Sequence, residues 1–203
     1  MEKIILCCLV TFSSCQFVGK TLLGVKPKTQ QQLVSYLEKR DFDTNNLYSI
    51  GFEYFSEVHQ SVGGLPAMRI FNDKGDYIPY LAENETSCST KPVNFIQKLK
   101  NEETYRTVDS LSLKEEFQKL RTLGGEEISF NQLPKADFYI LAYWSTYVKT
   151  LNKMYVKEWE KQVKLNDKVT IHFIKVNCDI QTWWTPEQLE KAGFNGKKSD
   201  KYR

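Results

Sequence analysis

The sequence predicts an α/β fold, because two apolar strands flank a long amphipathic helix. Residues 138–144 are an uninterrupted apolar run, and residues 169–176 form a second run rich in β-branched side chains. Such runs are typical of strands buried on both faces of a sheet. Residues 146–165 carry apolar side chains on one helical stripe. A strand, a long helix and a strand form a right-handed crossover, so the two strands should lie parallel.

The composition is that of a folded domain with little net charge. The 203 residues are 41% hydrophobic, and 28 Lys and Arg against 25 Asp and Glu give a formal net charge of +3. No excess of one sign favours nucleic acid as a partner. The sequence has no metal-ligand spacing and no glycine-rich phosphate loop, and its two histidines, His59 and His172, are most simply packing or surface residues. We expect neither a metal nor another cofactor.

The first fifteen residues are organised like an export signal. Three residues with a charged pair precede the largely apolar stretch 4–12, and Ser13 and Ser14 then lead to Cys15. The stretch is shorter than the roughly 18 residues that a membrane-spanning helix needs. Small residues before the cysteine suit a signal peptidase. The segment resembles a bacterial lipoprotein signal with its lipobox, with Phe12 where that motif prefers leucine and Ser14 where it prefers glycine or alanine.

This resemblance implies cleavage before Cys15 and lipidation of its thiol. Residues 1–14 would then be a signal peptide, residues 15–28 a tether, and residues 29–203 a single domain. Each buried CH₂ of an acyl chain contributes about 0.8 kcal/mol, so two or three chains would anchor the protein firmly. We expect a lipid-anchored protein of the bacterial cell envelope, facing the periplasm or the cell surface. The alternative is that residues 4–10 form a buried strand.

Two helices are predicted before the first strand. Thr29 and Gln32 have the spacing of a capping box, so a helix should begin after Thr29. A second helix is predicted over residues 44–62, where apolar side chains recur at spacings of three and four, and a Gly-Gly pair ends it.

A β-hairpin should follow. Residues 67–71 and 76–81 flank the turn sequence Asn-Asp-Lys-Gly. Pro79 must then lie at a sheet edge or a bulge, because it has no backbone donor. Three further helices are predicted, over residues 93–101, 111–123 and 185–192.

The strand over 138–144 ends in an aromatic pair, Tyr143 and Trp144, and Lys149 follows in the long helix. The second strand ends in the sequence Val-Asn-Cys-Asp at 176–179. In these features residues 137–184 resemble the central part of the thioredoxin fold. A generic α/β unit with a packed tryptophan is the alternative.

The positions of the thioredoxin redox motif carry no cysteine here. Where that family has Cys-x-x-Cys, this sequence has Ser145, Thr146, Tyr147 and Val148. Disulfide exchange needs an attacking thiolate and a resolving thiol. The resemblance therefore implies the fold without the redox chemistry, with a degenerate motif at Trp144, Ser145, Val148 and Lys149. If the helix begins at residue 146, its dipole should let cysteines introduced at 145 and 148 acquire some dithiol activity.

The pieces that follow the redox motif in thioredoxins occur upstream in this sequence. A helix, a proline at Pro66, the hairpin 67–81 and the helix 91–101 have the family's order and lengths. The resemblance thus implies a three-layer thioredoxin-like sandwich that is permuted, with helix–hairpin–helix first and the βαβ unit last. Pro66 would be the cis-proline. Strand 67–71 should then lie antiparallel beside strand 138–144.

Other chemistry-bearing residues leave alternatives open. Cys88 and Cys178 could form a structural disulfide, remain two free thiols, or act as a redox pair. Trp183 and Trp184 are either a lid on the core or a contact surface. Asp179 is interpreted as a solvated strand end.

Three classes of function are compatible with these features. The absence of Cys-x-x-Cys favours a non-enzymatic, non-redox binding or scaffold module, attached to the membrane by its N-terminal lipid, with an envelope protein as its partner. The second class is a thiol-dependent oxidoreductase or chaperone that uses Cys88 or Cys178. The third is a lipoprotein that binds a glycan or small molecule through Trp183 and Trp184.

Overall fold

A mixed sheet of seven strands organises the part of the chain that the structure describes. The structure is a computed structural model and describes residues 25–80, 90–101 and 103–194. The strands lie in the order β4-β3-β2-β6-β7-β1-β5. Their bounds are β1 Leu47–Ile50, β2 Ala67–Asn72, β3 Asp76–Ile78, β4 Val108–Ser112, β5 Leu120–Arg121, β6 Phe138–Trp144 and β7 Ile171–Asn177.

Parallel pairing is confined to the centre of the sheet. β6 pairs with β7 and β7 with β1 in parallel, whereas β2 lies antiparallel to β6, with Ala67 opposite Tyr143. The hairpin β2–β3, the strand β4 and the strand β5 add antiparallel pairs at both sides. The predicted α/β class and the parallel pair over 138–144 and 169–176 are therefore confirmed.

Helices cover both faces of this sheet. The α-helices are α1 Gln30–Glu38, α2 Phe55–Ser61, α3 Thr90–Lys98, α4 Leu113–Gln118, α5 Lys149–Leu151, α6 Lys157–Leu165 and α7 Pro186–Lys191. The π-helical segment Asn152–Val156 joins α5 to α6, so the three form one continuous helix after β6. No helix in the described ranges is both long enough and apolar enough to cross a bilayer.

The strand β6 supplies side chains to two separate hydrophobic cores. All seven of its residues are buried. Ile140, Ala142 and Trp144 pack with α1, α3 and α6 on one face, and Leu141 and Tyr143 pack with α2 and α4 on the other. Burial on both faces explains why this segment is apolar at every position.

Two predicted helices are wrong in part. The predicted helix 44–62 contains the strand Leu47–Ile50, and its α-helix is limited to Phe55–Ser61. The predicted helix 111–123 contains only Leu113–Gln118 as helix, between the strands β4 and β5. In both cases tertiary pairing overrides the local pattern, because Ile50 pairs with Leu120 at the side of the sheet.

The remaining element predictions agree with the structure in kind and differ at their ends. Thr29 and Gln32 form the predicted capping box, and the hairpin forms with its second strand ending at Ile78, before Pro79. The long helix begins at Lys149 rather than at residue 146.

A buried charged cluster ties β2 and β6 to α4. Arg69 and Glu116 are 5% and 1% exposed and form an ion pair. Tyr143 Oη donates to Glu116 Oε2 at 2.5 Å, and Lys119 Nζ donates to Glu116 Oε1 at 2.7 Å. Burial alone would raise the pKa of Glu116, but Arg69 and these two donors hold that pKa below its ordinary value. The carboxylate is therefore ionised inside the core.

Candidate functional site

The candidate site lies at the edge of the sheet where the parallel strands end. Ser145 directly follows β6, and Cys178 and Asp179 directly follow β7. Because Ala67 pairs with Tyr143, Pro66 lies at this same edge. The Leu65–Pro66 peptide bond, at the position that the resemblance marked, is cis. Open α/β sheets commonly bind ligands beyond the carboxyl ends of their strands. This edge is therefore the candidate functional site.

The Asp179 carboxylate is the centre of a buried hydrogen-bond network. Ser145 Oγ donates to Asp179 Oδ1 at 2.6 Å, and Thr146 Oγ1 donates to the same oxygen at 3.1 Å. The backbone N–H of Thr146 and Asn177 Nδ2 donate to Oδ2 at 2.9 and 2.8 Å. Asp179 is 3% exposed, so its interpretation as a solvated strand end was wrong. Four donors compensate for the burial of this carboxyl group.

Two buried amides extend the network on either side. Asn152 Nδ2 donates to the backbone oxygen of Ser145 at 2.7 Å and to Tyr36 Oη at 3.0 Å. Gln181 Nε2 donates to Asn177 Oδ1 at 2.8 Å and to the backbone oxygen of Asp179 at 2.7 Å. Asn152 belongs to the π-helical segment, which thereby fastens the start of the long helix to the loop after β6.

The arrangement holds a loop in place and does not present a nucleophile. Ser145 is 0% exposed, and its hydroxyl proton points to the Asp179 carboxylate. Serine nucleophiles are activated by a base that accepts the proton while the oxygen faces the substrate. His59 lies at the same edge of the sheet, but its Nε2 contacts the backbone oxygen of Cys178, at 3.1 Å. Burial lowers the pKa of His59.

The other positions that the resemblance assigned to a degenerate motif differ in accessibility. Trp144 is buried and stacks on Tyr36, with ring centroids 5.6 Å apart. Val148 is partly buried and caps the long helix, and Lys149 is its first residue and exposed. The helix therefore starts four positions after Ser145, and the dipole of its first turn does not lie at the serine.

Cys178 is a buried free thiol at the end of β7. It is 1% exposed, and burial together with the neighbouring Asp179 carboxylate raises the pKa of the thiol well above its ordinary value. A thiol in this state is a poor nucleophile. Cys88, for which a disulfide to Cys178 was one of three alternatives, lies outside the described residues, as does Cys15.

The paired tryptophans lie mainly inside the protein. Trp184 is 3% exposed and packs edge-on against Phe52 and Phe55. Trp183 is partly buried and lies so close to Gly125 that a Cβ there would approach the indole to 2.6 Å. Trp184 therefore offers no contact surface.

The polar residues that hold the loop after β6 were not predicted from the sequence. Asn177 ends β7, Asp179 and Gln181 follow it at alternate positions, and all three side chains are buried. That alternation was the signal that could have indicated one inward-facing polar row. Among the residues placed by the structure, no three His, Cys, Asp or Glu side chains group as metal ligands.

Comparison with known proteins gives no relative. No protein family, curated protein or solved structure matches this chain.

Proposed function

We propose that this protein is a membrane-anchored lipoprotein outside the cytoplasm, whose degenerate, non-redox thioredoxin-like domain serves as a binding or scaffold module. The proposal rests on the burial of Ser145 and on the hydrogen bond that its hydroxyl donates. This residue has the position of the attacking cysteine, yet it is completely buried and its proton is held by Asp179. In the proposed fold, the loop that carries the redox chemistry of thioredoxins is here a fixed structural element.

The sheet order supports the thioredoxin-like part of the proposal. Five neighbouring strands of the sheet lie in the order β3-β2-β6-β7-β1. The parallel strands are at the centre, an antiparallel hairpin lies beside them, and a long helix joins β6 to β7. A permuted thioredoxin-like domain, with the hairpin before the βαβ unit, requires β2 to be antiparallel to β6, and β2 has this direction.

The sequence of the first fifteen residues supports the lipid anchor. A short apolar stretch, two serines and Cys15 meet the requirements of signal cleavage and acylation. The described chain begins at residue 25, and Lys28 pairs with Gln181 just beyond β7. A tether from Cys15 would therefore join the domain at the edge that carries Ser145 and Asp179.

Replacing Cys15 by alanine should release the protein from the membrane fraction. The acyl chains would supply the anchoring free energy, and alanine has no thiol to carry them. The measurement is the distribution of the full chain between membrane and soluble fractions, with metabolic labelling by a fatty acid. Cys8→Ala is the matched control and should remain in the membrane fraction with its label. Equal membrane retention and equal labelling of the Cys15→Ala protein would disprove the anchor.

The full chain should not reduce insulin disulfides, and Ser145→Cys together with Val148→Cys should add little activity. The structure changes the expectation from sequence, because a thiol at position 145 would be buried beside Asp179, which raises its pKa. A thiol reagent should therefore modify the single variant Val148→Cys much faster than Ser145→Cys in the folded protein. Insulin turnover that is lost in a Cys178→Ala or Cys88→Ala variant would instead establish a thiol oxidoreductase.

A further inference from the structure

The long helix after β6 begins with two exposed apolar side chains. In the described ranges, the exposed large hydrophobic residues are Leu151 at 37%, Met154 at 55% and Leu165 at 63%. Leu151 and Met154 are three positions apart in the first turns, and the partly buried Val148 and Tyr155 continue the apolar surface beside them. Single exposed apolar residues are ordinary, but neighbouring ones can mark an interaction surface. These two lie at the edge of the sheet that carries the candidate site.

Two exposed lysines occupy the same turns of the helix. Lys149 and Lys153 are exposed, and neither has a carboxylate partner within the described part of the chain. Residues 138–157 contain no Asp or Glu at all.

The lysines further along the same helix are different. Lys157, Lys161 and Lys164 approach Asp41, Glu158 and Asp43 at 3.6, 4.0 and 3.5 Å. Among the described lysines of this helix, those without a carboxylate partner are thus confined to the turns that expose Leu151 and Met154.

The chain enters the domain at the same edge of the sheet. Lys28 N–H donates to the backbone oxygen of Ile180 at 2.8 Å, and Thr182 N–H donates to the backbone oxygen of Lys28 at 3.0 Å. The helix α1 follows, and its Tyr36 meets Asn152 at the start of the long helix. At about 3.5 Å per residue, the segment between Cys15 and residue 25 spans at most about 35 Å. An anchor at Cys15 would therefore keep this edge within about 35 Å of the bilayer.

We propose that Lys149, Leu151, Lys153 and Met154, the basic apolar face, dock on the surface of an anionic lipid bilayer. The inference rests on the proposed lipid anchor, and it names the surface against which the domain lies. The two lysines attract lipid phosphates, while leucine and methionine insert shallowly between headgroups. The tether makes this weak contact intramolecular, so a modest intrinsic affinity suffices to orient the domain.

A lipid surface fits the basic apolar face better than a protein does. Stable protein interfaces use about 20 to 30 residues on each side, far more than these four side chains provide. The positive charge without carboxylate partners also matches a surface of uniform negative charge. A bilayer needs no shape complementarity, and two shallow apolar side chains with two lysines are sufficient for reversible contact.

Photo-crosslinking at position 154 tests this orientation in the full chain. Met154 is replaced by p-benzoylphenylalanine, and the protein is reconstituted in vesicles of phosphatidylglycerol and phosphatidylcholine. Mass spectrometry then identifies what the probe has captured. We expect phospholipid adducts at position 154 and several-fold fewer with the same probe at Leu165, the exposed leucine at the other end of the helix. Pure phosphatidylcholine vesicles should give far fewer adducts at position 154.

Charge variants separate the lysines from the acyl anchor. Lys149→Gln with Lys153→Gln should lower the ratio of docked to undocked domain by about 30-fold, at about 1 kcal/mol for each lysine. Lys161→Gln with Lys168→Gln removes the same charge near and beyond the other end of the helix, which ends at Leu165, and should leave the adducts unchanged. The mass of the N-terminal peptide of the same sample reports acylation independently.

Several results would overturn the docking proposal. Acylated, vesicle-bound protein with equal lipid adducts at 154 and 165 would refute it and leave the anchor intact. Adducts to a second copy, or to an envelope protein when native membranes are used, would assign the face to that partner instead. An N-terminal peptide without acyl chains would refute the anchor, and lipid adducts at 154 would then still decide the docking question.

Discussion

Glu116→Gln should lower the free energy of unfolding by about 3–5 kcal/mol, the usual effect of removing one partner of a buried ion pair. The substitution keeps the shape of the side chain and removes its charge. Arg69 would then remain in the core, 5% exposed, without a counter-ion, because a guanidinium does not lose its proton in a protein. Urea denaturation of the full chain, followed by tryptophan fluorescence and circular dichroism, measures the change.

Glu57→Gln provides the matched control. The Glu57 carboxylate also accepts from Lys119 Nζ, at 2.6 Å, but its side chain is 58% exposed. Exposed ion pairs contribute about 0–1 kcal/mol, so this variant should unfold almost like the wild type. A loss at Glu116 no larger than that at Glu57 would show that the buried cluster does not stabilise the fold.

The contribution of Glu116 to the free energy of unfolding should decrease at acidic pH. The pKa of Glu116 in the folded protein lies below its ordinary value of 4.5, so the folded state binds fewer protons than the unfolded state in this range. Its contribution is therefore complete above pH 4.5 and is lost as the pH falls through the folded pKa. The stability difference between wild type and Glu116→Gln should narrow below pH 4.5.

Asp179→Ala should be the other strongly destabilising change, by about 3–6 kcal/mol. It leaves the donors of Ser145, Thr146 and Asn177 buried without their acceptor, and each such group costs about 1–3 kcal/mol. The loop after β6 should also become less stable locally. Amide hydrogen exchange of the peptide containing Thr146 should accelerate, because the N–H of Thr146 donates to Asp179 Oδ2.

Asp137→Ala is the control at the opposite edge of the sheet, where Asp137 directly precedes β6. Asp137 Oδ2 accepts one backbone hydrogen bond, from Thr170 at 2.7 Å, and the residue is partly exposed. We expect a cost of about 1 kcal/mol there and unchanged exchange at Thr146. Asp179→Asn, which keeps the volume of the side chain, should retain the fold and still accelerate exchange at Thr146. Unchanged stability and exchange in both Asp179 variants would mean that the network does not hold the loop.

The central strands could be predicted because their burial is recorded in the sequence itself. A strand packed on both faces must be apolar at every position, and residues 138–144 meet that condition without reference to the rest of the chain. The hairpin was predictable for a similar reason, since the residues of its turn specify a reversal locally.

The strand β1 could not be predicted in this way. Its four residues have apolar side chains three positions apart, a spacing that suits a helix equally well. What makes the segment a strand is its parallel pairing with β7, where Leu47 lies opposite Lys175. Such long-range pairing leaves no signal within a short window of sequence.

The role of Asp179 was hidden for the same physical reason. A carboxylate after a strand faces water in most proteins, and only its surroundings show otherwise. Its partner Ser145 lies 34 positions upstream, and the backbone N–H of Thr146 has no sequence signature. Whether a carboxylate is buried depends on the residues that surround it in the folded protein. Residue type and spacing alone therefore placed Asp179 in solvent, which was wrong.

The order of strands along the chain determines when the sheet can form during synthesis. β6 and β7 lie between the β4-β3-β2 side and the β1-β5 side, yet of the strands that the structure describes they are the last to be synthesised. Until the ribosome has released them, β2 and β1 have open edges and no shared neighbour, a state that invites pairing with other chains. The fold closes late and through contacts distant in sequence, which makes folding slow. A chain whose sheet cannot close until these strands have been synthesised should therefore need protection from other unfolded chains during its synthesis.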